Sequence, residues 1–271
     1  MKNIKILVAA HKDFDCSNLP NIYEPIQVGT SINGDRTNFI KDNTQDNISD
    51  KNGQYCELTA LYWGYKNLNC DISGLVHYRR YFIKKNKIHD NKYILDENDI
   101  VKYLSKKKII MPTLSYRIIE NPKLYKNKPV DEQDYHLIEM EKLIKEKYPE
   151  YLKSFEKYTY HNKISWGNMF ITSKDIYDKY SEFAFEFLFE LEKRFEEKNK
   201  LVPRLMGFLS EILLCVWVDY NFKKSDICYL DVINTELKES HLKLRNILRK
   251  LRLYNIINSI KFNIYYKKNK Y

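Results

Sequence analysis

The segment DISGLVHYRRYF, residues 71–82, passes from an apolar run into a cluster of basic and aromatic side chains. Its first half, around residues 74–76, is typical of a buried β-strand. The run then ends in a histidine, two adjacent arginines and three aromatic residues: His77, Tyr78, Arg79, Arg80, Tyr81 and Phe82. A core strand does not normally end this way. The segment therefore predicts a strand whose exit contributes to a binding site.

Strand-like and helix-like segments alternate along the rest of the chain. Residues 4–11, IKILVAAH, are apolar and β-branched, as in a central parallel strand. Further strands are predicted at residues 108–112, 164–172 and 226–233. Helices are predicted at residues 52–67, 96–108, 131–148, 173–198 (capped by Ser173) and 203–221 (starting with Pro203). This alternation predicts an α/β fold with a mostly parallel sheet flanked by helices.

The composition is that of a regular globular protein. Of the 271 residues, 44% are hydrophobic and 30% are charged, with only 7 Gly and 7 Pro, which excludes a disordered or low-complexity chain. The longest apolar runs, such as ILLCVWV (212–218), are too short to span a bilayer. We expect the N-terminal segment to be a strand rather than a signal peptide. The five cysteines are scattered without a C-x-x-C spacing, which favours reduced cytosolic thiols over a zinc site.

The net charge of +10 is concentrated near the C-terminal end. Residues 241–271 contain nine Lys and Arg and no Asp or Glu, so residues 1–240 are nearly neutral. The apolar residues of this tail recur at helical spacing with arginines beside them, the pattern of a helix in a membrane interface. We expect a body at 1–240 and a basic amphipathic tail at 241–271 that binds an anionic membrane surface. The alternative is that the tail packs on the body. Nucleic acid is not an expected partner, because the body is near neutral.

Ligands of parallel α/β sheets bind beyond the carboxyl ends of the strands. The exits of the two most apolar predicted strands bring to this edge His11, Lys12, His77, Tyr78, Arg79 and Arg80. Two guanidinium groups suit a phosphate or diphosphate, because each binds bidentately without a metal, and aromatic rings stack on a base or sugar. These residues therefore predict a site for a phosphorylated ligand. The alternative is that the arginines pair with buried acids and the tyrosines fill the core.

A second candidate group precedes the helix predicted at 52–67. The polar residues that cluster there are Asp46, Asn47, Ser49, Lys51 and Asn52. Exposed N–H groups at a helix start favour anions, but Asn47 or Ser49 would serve equally well as a plain cap. Glu57 lies on the same mostly apolar helix, where an unpaired buried carboxylate is costly. We expect it to pair with an arginine or with a ligand hydroxyl.

Seven characteristic segments occur along the chain in this order: KILVAAHK, YEPIQVG, DNISDKNGQYCELTALYWGYKN, GLVHYRRYF, IIMP, WGNMFI and GFLSEILLCVW. Together they resemble the DUF4422 family of bacterial capsular and exopolysaccharide glycosyltransferases, over most of the chain. The most specific parts are HYRRYF and the run that ends in YCELTALYW. The resemblance implies a GT-A-like (Rossmann-type) fold and a nucleotide-sugar-dependent hexosyltransferase.

The resemblance also implies a reaction. A sugar, galactofuranose or galactose, would pass from a UDP-sugar to a glycan or lipid-linked oligosaccharide acceptor in capsule, exopolysaccharide or lipopolysaccharide synthesis, with inversion. Trp166, Asn168 and Glu57 would bind the acceptor. Glu211 would be the catalytic base, since a buried carboxylate can deprotonate a hydroxyl, although it could instead form an ion pair with Arg204. Arg79 and Arg80 would stabilise the departing UDP.

This chain departs from the GT-A pattern in one respect, and from the family pattern at three positions, Asp13, Gln45 and Ile212. GT-A enzymes typically hold a divalent metal with an Asp-x-Asp motif at a strand end, where this chain has HYRR. Asp13 and Asp15 have that spacing, but the family usually has proline at the first position, so we interpret the match as a coincidence and expect no required cofactor. Gln45 stands where the family often has glycine, and Ile212 stands where it often has arginine.

The expected location is cytoplasmic, peripheral on the inner face of the cell membrane, where a lipid-linked acceptor is confined. A function of another class is a non-catalytic basic module that binds an anionic glycan or nucleic acid. Such a module would carry basic residues across its body rather than in one tail.

Overall fold

Strand β1 (Ile4–Ala10) lies inside the sheet and is buried along almost its whole length. A computed structural model describes residues 2–88, 90–116, 130–160 and 163–237, and the tail predicted at 241–271 lies outside them. Strand β2 (Tyr23–Gln27) lies parallel to β1 on one side, and β4 (Ile72–His77) lies parallel on the other. The register pairs Ala9 with His77, so the exits of β1 and β4 are adjacent.

Around β1 the sheet is mostly parallel. Its order is β10 (Ile227–Leu230), β6 (Ile109–Pro112), β9 (Phe170–Ser173), β4, β1, β2 and β3 (Ile40–Lys41). Only β9 in this path is antiparallel to its neighbours. Strand β5 (Arg80–Phe82) turns back beside β4 and pairs with β11 (Val232–Asn234), while β7 (Ser115–Tyr116) pairs with β8 (Lys163–Ile164).

Helices cover both faces of this sheet. They are α1 (Thr30–Asn33), α2 (Asn52–Tyr55), α3 (Leu58–Asn67), α4 (Glu97–Leu104), α5 (Val130–Lys147), α6 (Leu152–Tyr160), α7 (Lys174–Glu197) and α8 (Leu205–Asn221). Alternate side chains of β1 enter different cores. Leu7 and Ala9 belong to the core built with α3, α7 and α8, whereas Ile6 and Val8 belong to the one that contains Ile100 of α4. The predicted α/β fold is confirmed.

Three predicted elements are interrupted by residues with positive φ. The helix predicted at 52–67 is two helices, because Cys56 adopts φ 50°. The strand predicted at 164–172 is broken at Gly167 (φ 82°) and Asn168 (φ 51°). The helix predicted to start at Pro203 starts at Leu205, because Arg204 has φ 65°. Left-handed backbone cannot continue a right-handed helix, and it is uncommon for residues other than glycine.

No helix in the described ranges combines the length and the apolar character needed to cross a bilayer.

Candidate functional site

A cavity of about 440 Å³ lies at the carboxyl edge of β1 and β4. All three backbone interruptions meet there. The residues that line it come from the exits of β1 and β4, from the α2–α3 break, from the turn before β9 and from the start of α8. They include His11, His77, Tyr78, Arg79, Arg80, Asn52, Cys56, Glu57, Gly167, Arg204, Gly207, Phe208 and Glu211. The fold thus brings together most of the residues predicted at the strand exits, and adds others from distant parts of the chain.

The turn at Gly167 and Asn168 contacts three elements around the cavity. The Gly167 N–H donates to Glu211 Oε1 at 2.7 Å, and Asn168 Nδ2 donates to Glu57 Oε1 at 2.9 Å. The Gly167 carbonyl oxygen lies 2.6 Å from His77 Nε2. Since a carbonyl only accepts, Nε2 of this histidine carries a proton. The turn therefore holds both carboxylates of the cavity and the histidine at the end of β4.

Glu57 owes its position to the break between α2 and α3. It precedes the first residue of α3, and its side chain is only 13% exposed. Asn52 Nδ2 donates to the Cys56 carbonyl at 2.7 Å and stabilises the unusual backbone just before Glu57. His77 Nε2 lies 3.9 Å from Glu57 Oε1. Burial lowers the pKa of His77, against the opposing effect of the Glu57 charge, and this favours the neutral ring.

Two guanidinium groups in the cavity, those of Arg80 and Arg204, have no carboxylate partner among the described residues. Within the described part of the chain, neither Arg80 nor Arg204 forms an ion pair. The guanidinium of Arg204 lies over the Phe208 ring, 5.2 Å from its centroid, and its backbone N–H donates to the Gly53 carbonyl. Guanidinium groups without a protein anion attract a ligand anion, most strongly one with several oxygen atoms.

The remaining basic residues form a cationic rim, defined here as Lys12 and Arg79. Glu236, just after β11, bridges them: Lys12 Nζ and Arg79 Nη1 each donate to it at 3.1 Å. Both cations also lie near the Tyr78 ring, 5.2 and 5.5 Å from its centroid. Hydrogen bonds from Arg79 and Lys12 lower the pKa of Glu236, which keeps the bridge ionised at neutral pH. An internal anion thus occupies the rim.

His11 lies next to this rim, with its ring nearly perpendicular to the Tyr78 ring at a centroid distance of 5.2 Å. Burial lowers the pKa of His11, and the charges of Lys12 and Arg79 lower it further. A neutral imidazole at the end of β1 leaves the positive charge of this region to the lysine and arginine side chains.

Several residues predicted from the sequence lie outside the cavity lining. Asp46 accepts from the Tyr62 hydroxyl at 3.2 Å, and Asn47 Oδ1 accepts from the Ser49 N–H at 3.1 Å. Lys51 forms an ion pair with Glu192 of α7 at 2.9 Å. Trp166 packs on the core with its side chain half-buried, and Asn168 lies behind the lining with no exposed surface. From the second predicted group, only Asn52 reaches the cavity.

Asp42 stabilises the backbone around Asn52, at the start of α2. No local sequence pattern points to this residue. This fully buried carboxylate accepts four hydrogen bonds, from Gly29 N, Thr30 N, Ser49 Oγ and Thr59 Oγ1. Asn52 packs against Gly29, where a Cβ would lie 2.5 Å from Asn52 Oδ1, and it also donates to Thr59 Oγ1. Asp42 therefore ties the β2 exit to the α2–α3 break.

Arg204 and Glu236 are the other residues that the sequence analysis missed as site residues. The sequence did contain a signal for Arg204. Because the helix dipole disfavours a cation at a helix start, a basic residue at that position indicates a role other than stabilising the helix. Glu236 gave no such signal, because an acidic residue in a polar segment is ordinary.

The residues of the cavity fit an anion better than a divalent metal. Among the described residues, no group of three or more His, Cys, Asp and Glu side chains is arranged to hold a metal. Asp15 accepts from Ser17 N at 2.9 Å and Ser17 Oγ at 2.6 Å, and neither it nor Asp13 lines the cavity. Magnesium and manganese prefer oxygen donors, whereas here Glu57 and Glu211 share the cavity with guanidinium groups.

A comparison with solved structures finds the apo structure of the WbbM bifunctional glycosyltransferase, with a TM-score of 0.69 and 24% sequence identity. The match covers 87% of this chain and 46% of that chain, so this chain spans about half the length of that protein. At this identity the likeness establishes a shared fold. A search of the curated proteins finds no match. The family model described as a domain of unknown function, DUF4422, matches residues 5–223, and the chain therefore belongs to the DUF4422 family.

Proposed function

We propose that this protein is a glycosyltransferase that moves a sugar from a UDP-sugar to a glycan acceptor. One observation carries the proposal: the cavity at the carboxyl edge of β1 and β4 combines two guanidinium groups that lack a carboxylate partner among the described residues with two hydrogen-bonded carboxylates. Such a site has the groups needed to hold a diphosphate and to accept a proton from a hydroxyl. The shared fold with a glycosyltransferase supports the same conclusion.

The diphosphate is assigned to the cations. Arg80 and Arg204 bind its oxygen atoms in the cavity, with the cationic rim beside them. As the bond between the anomeric carbon and the diphosphate oxygen breaks, both electrons leave with UDP and negative charge grows on that oxygen. Fixed guanidinium groups stabilise this charge more in the transition state than in the ground state, which lowers the barrier. No metal is required in this scheme.

The acceptor is assigned to the carboxylate side. Its hydroxyl attacks the anomeric carbon, and the proton passes to Glu211, whose Oε1 is fixed by the Gly167 N–H. Glu57 lies on the other side of the same turn and is assigned to the binding of sugar hydroxyls. Trp166 and Asn168 belong to the acceptor side through their place before β9, Asn168 from behind the lining.

The finer assignments rest on the family resemblance of the sequence. The donor is UDP-galactofuranose or UDP-galactose, transfer inverts the anomeric centre, and the acceptor is a lipid-linked glycan of a capsule, exopolysaccharide or lipopolysaccharide. The protein works on the cytoplasmic side, held at the inner face of the membrane by the basic tail at 241–271, whose nine positive charges support this placement.

The test is a panel of UDP-sugars incubated with the full chain, with UDP release measured with and without an oligosaccharide acceptor. We expect release with one or two donors, and a loss of about 10²-fold or more in Glu211→Gln. Binding of UDP-sugars without any turnover in the presence of acceptors would favour the non-catalytic binding module instead. The control is Glu97→Gln, on α4 outside the cavity lining.

The membrane assignment has its own test. Truncation after Glu239 should abolish co-sedimentation with anionic liposomes at low salt, while UDP release with a soluble acceptor remains. Equal sedimentation of the truncated and full chains would refute the role of the tail.

A further inference from the structure

We propose that Asn168 is a positioning residue whose side-chain amide holds Glu57 in place, within the backbone turn that also holds Glu211. The proposal deepens the proposed function and rests on it for the roles of the carboxylates. Asn168 has no exposed surface and therefore acts through its neighbours rather than by touching substrate. Its amide Nδ2 donates to Glu57 Oε1 at 2.9 Å and to the Gly207 carbonyl of α8 at 3.1 Å.

The hydrogen-bond partners fix the orientation of the amide. Both contacts of Nδ2 are to acceptors, a carboxylate and a carbonyl, so the nitrogen must be on that side. The amide therefore connects the start of α3 to α8. One residue earlier in the same turn, the Gly167 N–H holds Glu211 of α8 and the Gly167 carbonyl accepts from His77 of β4. One turn thus sets the relative positions of three functional elements.

The backbone explains why asparagine stands at this position. Asn168 adopts φ 51°, a conformation that asparagine, aspartate and glycine tolerate better than other residues. Glycine would offer no side-chain donor, and aspartate would place a second carboxylate against Glu57. Of these three residues, only asparagine combines this backbone with a neutral donor.

The environment of the amide oxygen, Asn168 Oδ1, indicates a functional rather than a stabilising role for this residue. Within the part of the chain that the structure describes, the buried Asn168 Oδ1 has no hydrogen-bond partner. Burying a polar atom without a partner is unfavourable. A residue chosen for stability alone would not be expected here. Unfavourable backbone and polar groups collect at functional sites, where the geometry they impose is needed.

The test compares Asn168→Asp with Asn199→Asp. Asn199 has the same φ of 51° but lies in an exposed turn after α7, so the control makes the same chemical change on the same backbone. We expect Asn168→Asp to lower UDP release from the active UDP-sugar by about 10²-fold, the effect of misplacing a residue that positions the substrate. The affinity for UDP, measured by calorimetry, should remain within about twofold, because Arg80 and Arg204 are untouched. The control should match the unchanged protein in both assays.

A second measurement does not depend on activity. In Asn168→Asp two carboxylates face each other, and adding Glu57→Gln restores a donor beside an acceptor. We expect the double variant to recover part of the melting temperature lost in the single variant, because the carboxylate at position 168 still faces the Gly207 carbonyl, while turnover stays low. This cycle tests the contact even if no UDP-sugar is turned over, so failure of the proposed function and failure of the inference are distinguishable.

Three results would overturn the proposal: unchanged turnover in Asn168→Asp, an equal loss of UDP affinity and turnover, or additive effects of the two substitutions on the melting temperature. If the single variant does not fold, Asn168→Gly decides, because glycine keeps the positive φ and removes the amide without placing a charge against Glu57 or the Gly207 carbonyl. A lower melting temperature and lower turnover in Asn168→Gly support the contact with Glu57, and a variant that matches the unchanged protein in both refutes it.

Discussion

Replacing Asp42 by asparagine should destabilise the protein far more than the same change at Asp35. Each oxygen of the Asp42 carboxylate accepts one backbone N–H and one hydroxyl: Thr30 N at 3.0 Å and Ser49 Oγ at 2.5 Å on Oδ1, Gly29 N and Thr59 Oγ1 both at 2.7 Å on Oδ2. An amide would place its NH₂ against one of these pairs in either orientation. The hydroxyl can rotate, but the backbone N–H cannot.

The magnitude follows from that geometry. One buried backbone N–H loses its acceptor, at a cost of about 1–3 kcal/mol, and the two hydrogen bonds that remain on the amide oxygen lose the extra strength of a charged acceptor, about 1 kcal/mol each. A total near 3–5 kcal/mol corresponds to a fall of roughly 6–20 °C in melting temperature for a chain of this size. Asp35 is the matched control: its side chain is 68% exposed and pairs with Lys41 at the surface, so its replacement should hardly change the melting temperature.

The assay is thermal unfolding of Asp42→Asn and Asp35→Asn, followed by circular dichroism in one buffer at neutral pH. If the two variants melted within about 2 °C of each other, Asp42 would not tie the β2 exit to the α2–α3 break in the way that its four hydrogen bonds indicate.

Three further predictions concern the cavity. Arg80→Ala should lower UDP release by about 10²-fold with an unchanged fold, the loss expected for one transition-state donor, and a folded variant with full activity would exclude a role in diphosphate binding. Activity should persist in excess chelator; complete loss that manganese restores would instead direct attention to Asp13 and Asp15. Glu236→Gln should tighten UDP binding by about two- to fivefold at low salt by freeing the cationic rim, and the gain should shrink at high salt. Equal affinities in calorimetry at low salt would show that Glu236 does not compete with the ligand.

Local sequence patterns were sufficient to predict the two central strands of the sheet. The runs ILVAA (6–10) and GLV (74–76) are continuously apolar, which is typical of strands buried on both faces, and they lie in the adjacent strands β1 and β4. Because parallel strands end at one edge of a sheet, their polar exits could be placed together without knowing any contact. His11, His77 and Arg80 accordingly line one cavity.

The tertiary structure alone decided how the cavity is completed. Cys56, Asn168 and Arg204 interrupt predicted elements with positive φ, a conformation that depends on hydrogen bonds with other parts of the chain and leaves no periodic trace in the sequence. The partner of Lys12 is Glu236, 224 positions away, and nothing local to either residue indicates the other. Local sequence sets which backbone conformations are favourable, whereas pairing between distant side chains is settled only when the packed sheet and helices bring them within hydrogen-bonding distance.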